Sequence, residues 1–498
     1  MREEAAPRVE IGPLVPPRLA ARPWRVLADE SLLVLCTSIF AIAFVLRLSG
    51  QVNQDAWLAV TGGRSVVDHG LPHHEAWTIW GAGKAFVDQQ WLAQAVLYVV
   101  HAAGGWGLVA GLHAVLTLAA ISFALVVARR RGASQRSVLM LLPLSFFCLI
   151  GSTWQVRTQS FAYLLSAVCL WLLVEDARRP SSRVFWCLPL LALWGNLHGS
   201  AVLGAGLVAL RGFDRAASGR RLSGLGLAVL APAMLFLSPY GGSLVGYYHH
   251  TLFNPAFSSM LNEWQAPKLG ALSWPFFALA IGVVWLAGRS RLALTRYERL
   301  ALLATLVAAL SATRNIGWFA FATIMLCPSA LEEARPVSVA THAGRSRANA
   351  LAAAATALAL VALLCATVAR PAAWFTEQYP AAAGDVVARA ASADPHARIF
   401  ADVHYADWLL WEHPGLAGRI AFDARFELLS RRRIAQIYNF NDVYGSSWRP
   451  ATRGFRILVL DRTVSSGPLA ALLREPGARL LYSGHGVAVV ERERPNRL

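Results

Sequence analysis

Charge is scarce in this chain. Only 15% of its 498 residues are charged, 56% are hydrophobic, and the mean hydropathy is +0.45. A sequence so poor in charge is not that of an ordinary soluble enzyme and reads as an α-helical polytopic membrane protein. Acid is scarcer still, with 29 Asp and Glu against 46 Lys and Arg, a formal charge of +17. Such an excess raises the question of nucleic acid, but no basic helix and no module of stacking aromatics accompanies it. The arginines instead gather in short clusters between apolar runs, where retention on an anionic cytoplasmic face accounts for them. No nucleic-acid partner is expected. The six cysteines all lie in apolar runs without CxxC spacing, so neither a zinc site nor a disulfide framework is indicated, and packing explains them. Near the start there is no apolar core and no small-residue cleavage signature. Residues 1–30, rich in Pro and Arg, are expected to form a disordered cytoplasmic tail.

What is present is a series of apolar runs. They begin with Ser31 to Leu48 and continue at Trp106 to Val127, Ser137 to Ser152, Ser160 to Val174, Val184 to Leu197, Ala201 to Leu210, Leu222 to Leu237, Leu272 to Gly288, Leu300 to Ser311, Ile316 to Leu331 and Ala350 to Val368, eleven candidates in all. Several fall short of the ~20 residues that cross a hydrocarbon core, so their ends extend into flanks or stop in a cavity. Arginines occupy alternate connections: Arg129 to Arg131 with Arg136; Arg178, Arg179 and Arg183; Arg211, Arg215, Arg220 and Arg221; Arg289, Arg291, Arg296 and Arg299; Arg335, Arg345 and Arg347. The positive-inside rule then places the N-terminus in the cytoplasm and the first loop, residues 50–91, outside. An odd number of spans places the C-terminus outside as well. A transmembrane domain over residues 31–370 is followed by a change of composition, and residues 371–498 are expected to fold as a small extracytoplasmic α/β domain. Its β-like runs are Ala397 to Val403, Arg419 to Phe422, Phe455 to Leu460, Leu480 to Ser483 and Val487 to Val490, alternating with helical stretches at Ala381 to Ala391 and Pro468 to Arg474.

The first loop holds Asp55, Asp68, Glu75 and Asp88 and three histidines, in a chain whose other short loops are mostly basic. Apolar spacing through Trp57, Val60, Val66 and Val67 predicts a helix along the membrane surface with Asp55 at its start and Gly62-Gly63 as a weak point. There Asp55 is either a base, kept charged by the helix N-terminus, or simply an N-cap. Other outer segments are short and polar: Trp154 to Gln159, Trp194 to Gly199, Ser238 to Gly242, His249-His250, Asn262-Glu263-Trp264 and Thr313 to Asn315. Ionisable groups this near a bilayer are costly unless paired or facing a wet cavity, so their clustering on one side predicts one shared pocket. Arg157 and Arg314 are fitted to fork onto phosphate oxygens. His198 or the His249-His250 pair could carry a proton or bind a metal, although a lone histidine at a helix end is more often structural.

In order along the chain, the outer-loop Asp55, a surface helix, Val87-Asp-Gln-Gln-Trp-Leu92, Arg157-Thr-Gln159, Trp194-Gly-Asn-Leu-His-Gly199, Ser238-Pro-Tyr-Gly241, Asn262-Glu-Trp264 and Arg314-Asn315 resemble the multi-pass bacterial membrane proteins grouped with the GT-C glycosyltransferases. The likeness extends to a C-terminal outer domain opening near Tyr379-Pro380 and containing Asp402 and Phe422-Asp-Ala-Arg425. The resemblance implies a bacterial inner-membrane enzyme that moves a sugar from a polyprenyl-phosphate donor to an extracytoplasmic acceptor, with Asp55 as the catalytic base. The shared pocket predicted from the polar outer segments would bind substrate through Arg157, Gln159, Asn196, His198, Tyr240, Glu263, Arg314 and Asn315. Ala56 follows Asp55 where a second acid or an aromatic is common, so no paired-acid motif points to a divalent metal, and the cofactor stays open. A transporter or flippase for a lipid-linked or anionic substrate would also need a polar cavity in a helical bundle. A non-catalytic envelope assembly protein is a third alternative.

Overall fold

The computed structural model describes residues 29–50, 52–335, 346–442 and 448–493. The expected tail, apart from Asp29 and Glu30, and Arg345 lie outside the described residues. In chain order the helices of the first part are α1 (Ser31–Val45), α2 (Gln54–His69), α3 (Trp91–Arg130), α4 (Gln135–Thr153), α5 (Gln159–Arg178), α6 (Cys187–Leu197), α7 (Ala201–Ala217), α8 (Arg221–Ala233), α9 (Ser243–Leu252), α10 (Pro255–Met260), α11 (Trp274–Arg289), α12 (Arg296–Ser311), α13 (Ile316–Ala334) and α14 (Ser346–Val368). Each of the eleven apolar runs coincides with helical structure. Among the described residues, four helices are long and apolar enough to cross a membrane: α3, α4, α5 and the Arg347–Val368 stretch of α14. Ser31–Val45, Arg221–Phe236 and Trp274–Arg289 are apolar but shorter. α13 is buried on every side from Ile316 to Ala330 and forms the centre of the bundle.

Physical reasons for the helix ends are local. α3 runs for 40 residues but breaks at Gly104-Gly105, where Gly105 has φ +64°, a conformation that only glycine adopts without strain. The break separates a half beside the first loop from an apolar half inside the bundle. α12 opens with a capping box, Thr295 accepting from the Glu298 amide while Glu298 accepts from the Thr295 amide. Glu298 also receives Arg131 at 2.6 Å and Arg178 at 2.9 Å, and Asp176 receives Arg211 at 2.8 Å and Arg215 at 2.5 Å. Arginines of the inter-helix clusters therefore also clamp the ends of neighbouring helices, against acids that are almost wholly buried.

The C-terminal part contains helices α15 (Ala381–Ala393), α16 (Val403–Glu412), α17 (Arg431–Asn441) and α18 (Ser466–Leu472) and strands β1 (Ile399–Ala401), β2 (Ile457–Asp461), β3 (Ala478–Gly484) and β4 (Val487–Arg492). The sheet order is β1-β2-β4-β3, with β1 parallel to β2 and the other two pairs antiparallel. The Arg419 to Phe422 run is not a full strand. Ile420 forms single bridges to Ile399 and to Thr78, and so joins the sheet to the first loop. Ile79 and Trp80 donate their amides to the carbonyls of Ile420 and Ala421 at 2.8 and 3.0 Å, and the Gly418 amide donates to Trp77. The two helices α16 and α17 were not expected from the sequence pattern.

α2 lies between the bundle and this C-terminal sheet. Its cap is Asn53, whose Oδ1 accepts from the Asp55 amide at 3.2 Å, so Asp55 sits in the first turn, inside the cap, and is not the N-cap itself. Gly62-Gly63 is not a weak point. A methyl added at Gly63 would fall 2.1 Å from the Gln94 carbonyl oxygen, so the pair allows α2 to rest directly on α3. Trp57 is fully buried, with ring centroids 4.5 Å from Trp106 of α3 and 5.3 Å from Tyr379 of the C-terminal part. A buried aromatic of this size typically contributes about 3–5 kcal/mol. Arg64 forks onto the Leu410 and Trp411 carbonyls at 3.2 Å, binding α2 to the C-terminal end of α16, where a cation also suits the helix dipole.

Candidate active site

Five connecting segments meet above the bundle. α2 supplies Asp55, the turn before α5 supplies Arg157, the turn after α6 supplies His198, the short 3-10 segment Asn262–Trp264 supplies Glu263, and the segment Thr313–Asn315 ahead of α13 supplies Arg314. Arg157 Nε stands 2.6 Å from Asp55 Oδ2. The angle there is too bent for an aligned hydrogen bond, so this is a charge contact. Arg157 Nη1 donates to Glu263 Oε2 at 3.1 Å, and the other carboxylate oxygen of Glu263 lies 3.7 Å from Arg314 Nη1. Arg314 rests over the Trp264 ring at 4.2 Å. The result is a row of alternating charge, Asp55, Arg157, Glu263, Arg314.

Exposure divides these groups from a structural salt bridge. The side chains of Asp55, Arg157 and Arg314 are 27–28% accessible and that of Glu263 43%. Burial alone would lower the Arg157 guanidinium, but Asp55 and Glu263 outweigh it and hold the charge more firmly than usual. Burial alone would likewise raise Glu263, and Arg314 and Arg157 instead bring its carboxyl below the ordinary range. His198 is pushed down to about 3 by burial and by Arg314 and Arg157. Its Nδ1 accepts from the Ser200 amide at 3.1 Å, which leaves the proton on Nε2. His198 is thus a neutral donor beside two guanidiniums and is not suited to carry a proton at neutral pH.

Other residues that the sequence put forward hold the scaffold. Asn196 donates to the carbonyls of Ala192 and Leu237, each at 2.8 Å, and accepts from Trp91 at 2.9 Å. Tyr240 donates its hydroxyl to the Pro72 carbonyl at 2.9 Å, and Asn315 donates to Ala308, closing the end of α12. Gln159 is buried in the first turn of α5. None of the four joins the row of charges. His250 bonds the Gly246 carbonyl of its own helix, and the His249-His250 pair is exposed. Among the described residues no group of three or more His, Cys, Asp and Glu side chains is arranged to hold a metal ion.

A second polar centre lies where the first loop meets the C-terminal part. Arg425 pairs with Glu75 and Asp423, each at 2.5 Å, and is stacked against Trp77 at 4.3 Å and Phe86 at 4.9 Å. Asp407 is fully buried and accepts from the Ala424 amide at 3.1 Å, and Asp88 accepts from Gln94 at 2.9 Å. Burial raises Asp88 to about 7 and Glu427 to about 7, with Arg425 opposing it in both cases. Asp88, Glu75 and the Phe422 to Arg425 segment are visible in the sequence as polar islands, but nothing in their spacing reveals that they meet.

No protein-family model and no curated protein sequence matches the chain. Among solved structures it is similar to ArnT from Cupriavidus metallidurans, in the apo state and bound to undecaprenyl phosphate, at 14% identity and TM-score 0.47 in both cases. The apo form covers 95% of this chain and 98% of that one, and the bound form 92% and 97%. It is also similar to the oligosaccharyltransferase of Archaeoglobus fulgidus, at 12% identity and TM-score 0.45, over 86% of this chain and 69% of that one. Likenesses of this size leave the roles of the residues to be read from the site's own geometry.

Proposed function

We propose that the protein is an inverting glycosyltransferase of the bacterial cytoplasmic membrane, moving a sugar from a polyprenyl-phosphate donor to an extracytoplasmic acceptor. The observation that carries this reading is the convergence of one accessible carboxylate, Asp55, with two accessible guanidiniums, Arg157 and Arg314, on segments distant in sequence. Asp55 would take the proton of the acceptor hydroxyl as its oxygen bonds to the anomeric carbon of the donor. The bond from that carbon to the phosphate oxygen breaks on the opposite face, and its electron pair leaves with the polyprenyl phosphate. Arg157 and Arg314 stabilise the charge that grows there, with the neutral His198 as a further hydrogen-bond donor.

One helical turn inward of His198 and Arg314 are Trp194 and Trp318, which line an apolar recess with Leu170, Leu203, Leu207 and Phe321. A prenyl tail lying between the helices would keep the phosphate at the level of the two arginines. In this reading the N-terminus is cytoplasmic, and the first loop and residues 371–498, taken as a domain, are extracytoplasmic. The test is to supply purified protein with a polyprenyl-phosphate-linked sugar and follow free polyprenyl phosphate. A transferase releases it only when an acceptor is present. Movement of the unaltered lipid across a vesicle membrane without release would instead support a flippase.

A further inference from the structure

In the row of charges Glu263 occupies the position that a phosphate needs. Its carboxylate, a planar pair of acceptor oxygens, bridges the two guanidiniums with one oxygen toward each, at 3.1 and 3.7 Å. It is the most accessible of the four side chains. Its backbone belongs to a short segment held at both ends: α10 packs with α17 through Phe257 and Ile437, and the Gln265 carbonyl accepts from both the amide and the hydroxyl of Thr313 at 2.9 and 3.0 Å. Glu263 and Arg314 are therefore fastened to one another through the main chain, while only side-chain contacts bring Glu263 to Arg157.

Charge balance decides whether Glu263 and a phosphate can share the arginines. Two guanidiniums and two carboxylates leave the site neutral, and adding a donor phosphate would make it negative with Glu263 still in place. Withdrawal of Glu263 leaves one net positive charge, to match the phosphate. On the reading of Arg157 and Arg314 as the phosphate grip, we propose that Glu263 is an internal stand-in for the donor phosphate. It holds the two arginines at the spacing the donor requires and is displaced from them when the donor binds. Glu263 is thus a positioning residue that competes with the substrate and is not one of its ligands.

The experiment measures binding of a polyprenyl monophosphate to the purified full-length protein in lipid nanodiscs. Glu263→Gln keeps the size and loses the charge, so affinity should rise roughly tenfold or more, as expected when a charge-assisted competitor is removed. Arg157→Lys and Arg314→Lys should each weaken binding. Glu263→Ala should bind tightly as well, and millimolar acetate should bring its affinity back toward that of the parent protein, an effect that a merely structural glutamate would not show. Weaker or unchanged binding in both Glu263 variants, with weakened Lys variants, overturns the stand-in and leaves the phosphate grip intact. Unchanged binding in the Lys variants overturns the grip and the stand-in together.

Discussion

Asp55→Asn is the most informative single change. The structure separates the two roles that this residue could have, because the cap of α2 is Asn53 and its contact is to the Asp55 amide, which the substitution retains. Asn has the same shape as Asp. What is lost is one charge contact to Arg157, between side chains 27–28% accessible, and a negative charge in the first turn of a helix. Ion pairs of this exposure contribute about 0–1 kcal/mol, and the dipole term ~0.3–1 kcal/mol. The variant should therefore insert, fold and unfold thermally almost as the parent does. A positioned general base typically contributes ~10²- to 10⁴-fold, so transfer should fall by about that factor while donor binding persists. The assay is single-turnover release of polyprenyl phosphate at saturating donor and acceptor, read beside a thermal unfolding curve. An Asn variant with full turnover refutes the role of Asp55 as base, whatever its stability.

Four further outcomes are expected. Gly63→Ala should destabilise the docking of α2 on α3 by about 1–3 kcal/mol, since the new methyl meets a main-chain carbonyl that cannot turn aside, and thermal unfolding will show it. Arg425→Met should be far more damaging, about 3–5 kcal/mol, because it strands Glu75 and Asp423 as buried acids without their partner, and limited proteolysis should then cut between the first loop and the C-terminal part. Asp88 and Glu427, raised to about 7, hold protons in the folded state that the unfolded chain releases near pH 4, so their contribution is complete at low pH and is lost as pH rises toward 7. The unfolding midpoint of the parent protein should thus gain more between pH 7.5 and 5.5 than that of an Asp88→Asn, Glu427→Gln double variant, and equal gains would refute this assignment. A reporter fused after Arg131 should be cytoplasmic and one fused after Leu498 extracytoplasmic; agreement between the two would refute the eleven-span topology.

The helices were legible because their signal is local. Runs such as Ser160 to Val174 and Ile316 to Leu331 are apolar over several turns, and such runs can satisfy their backbone only as helix. Asp55, Arg157, His198, Glu263 and Arg314 were legible for a related reason, since a charged or polar group beside an apolar run is costly and therefore conspicuous. The same criterion singled out Asn196, Tyr240 and Asn315, which the structure does not join to the row of charges. Each is a polar group beside an apolar run, but its hydrogen bonds close turns, and a sequence does not say where a side chain spends its donors. α16 escaped notice because its buried side, Tyr405 to Leu410, is apolar nearly throughout with Asp407 inside it, and no period stands out. The Arg425 centre was illegible because it joins Arg425 to Glu75, residues far apart in the chain.

That centre explains why the C-terminal part bears on the site at all. Residues Trp77 to Trp80 of the first loop pair with Gly418 to Ala421, Arg425 grips Glu75 from the other side of the same junction, and Arg64 fixes α2 to the end of α16. Asp55 is carried on α2, so its distance from Arg157 depends on how this part is seated and on the contact of α2 with α3. Glu263 depends on it too, through Phe257 in the core shared with Phe400 and Phe422. Asp55 is thus held in register by residues 371–498, and Glu263 in part, since the Gln265–Thr313 bonds also tie Glu263 to the Arg314 segment. A loosened junction would move Asp55 relative to Arg157, and it would reduce turnover without touching any residue of the site.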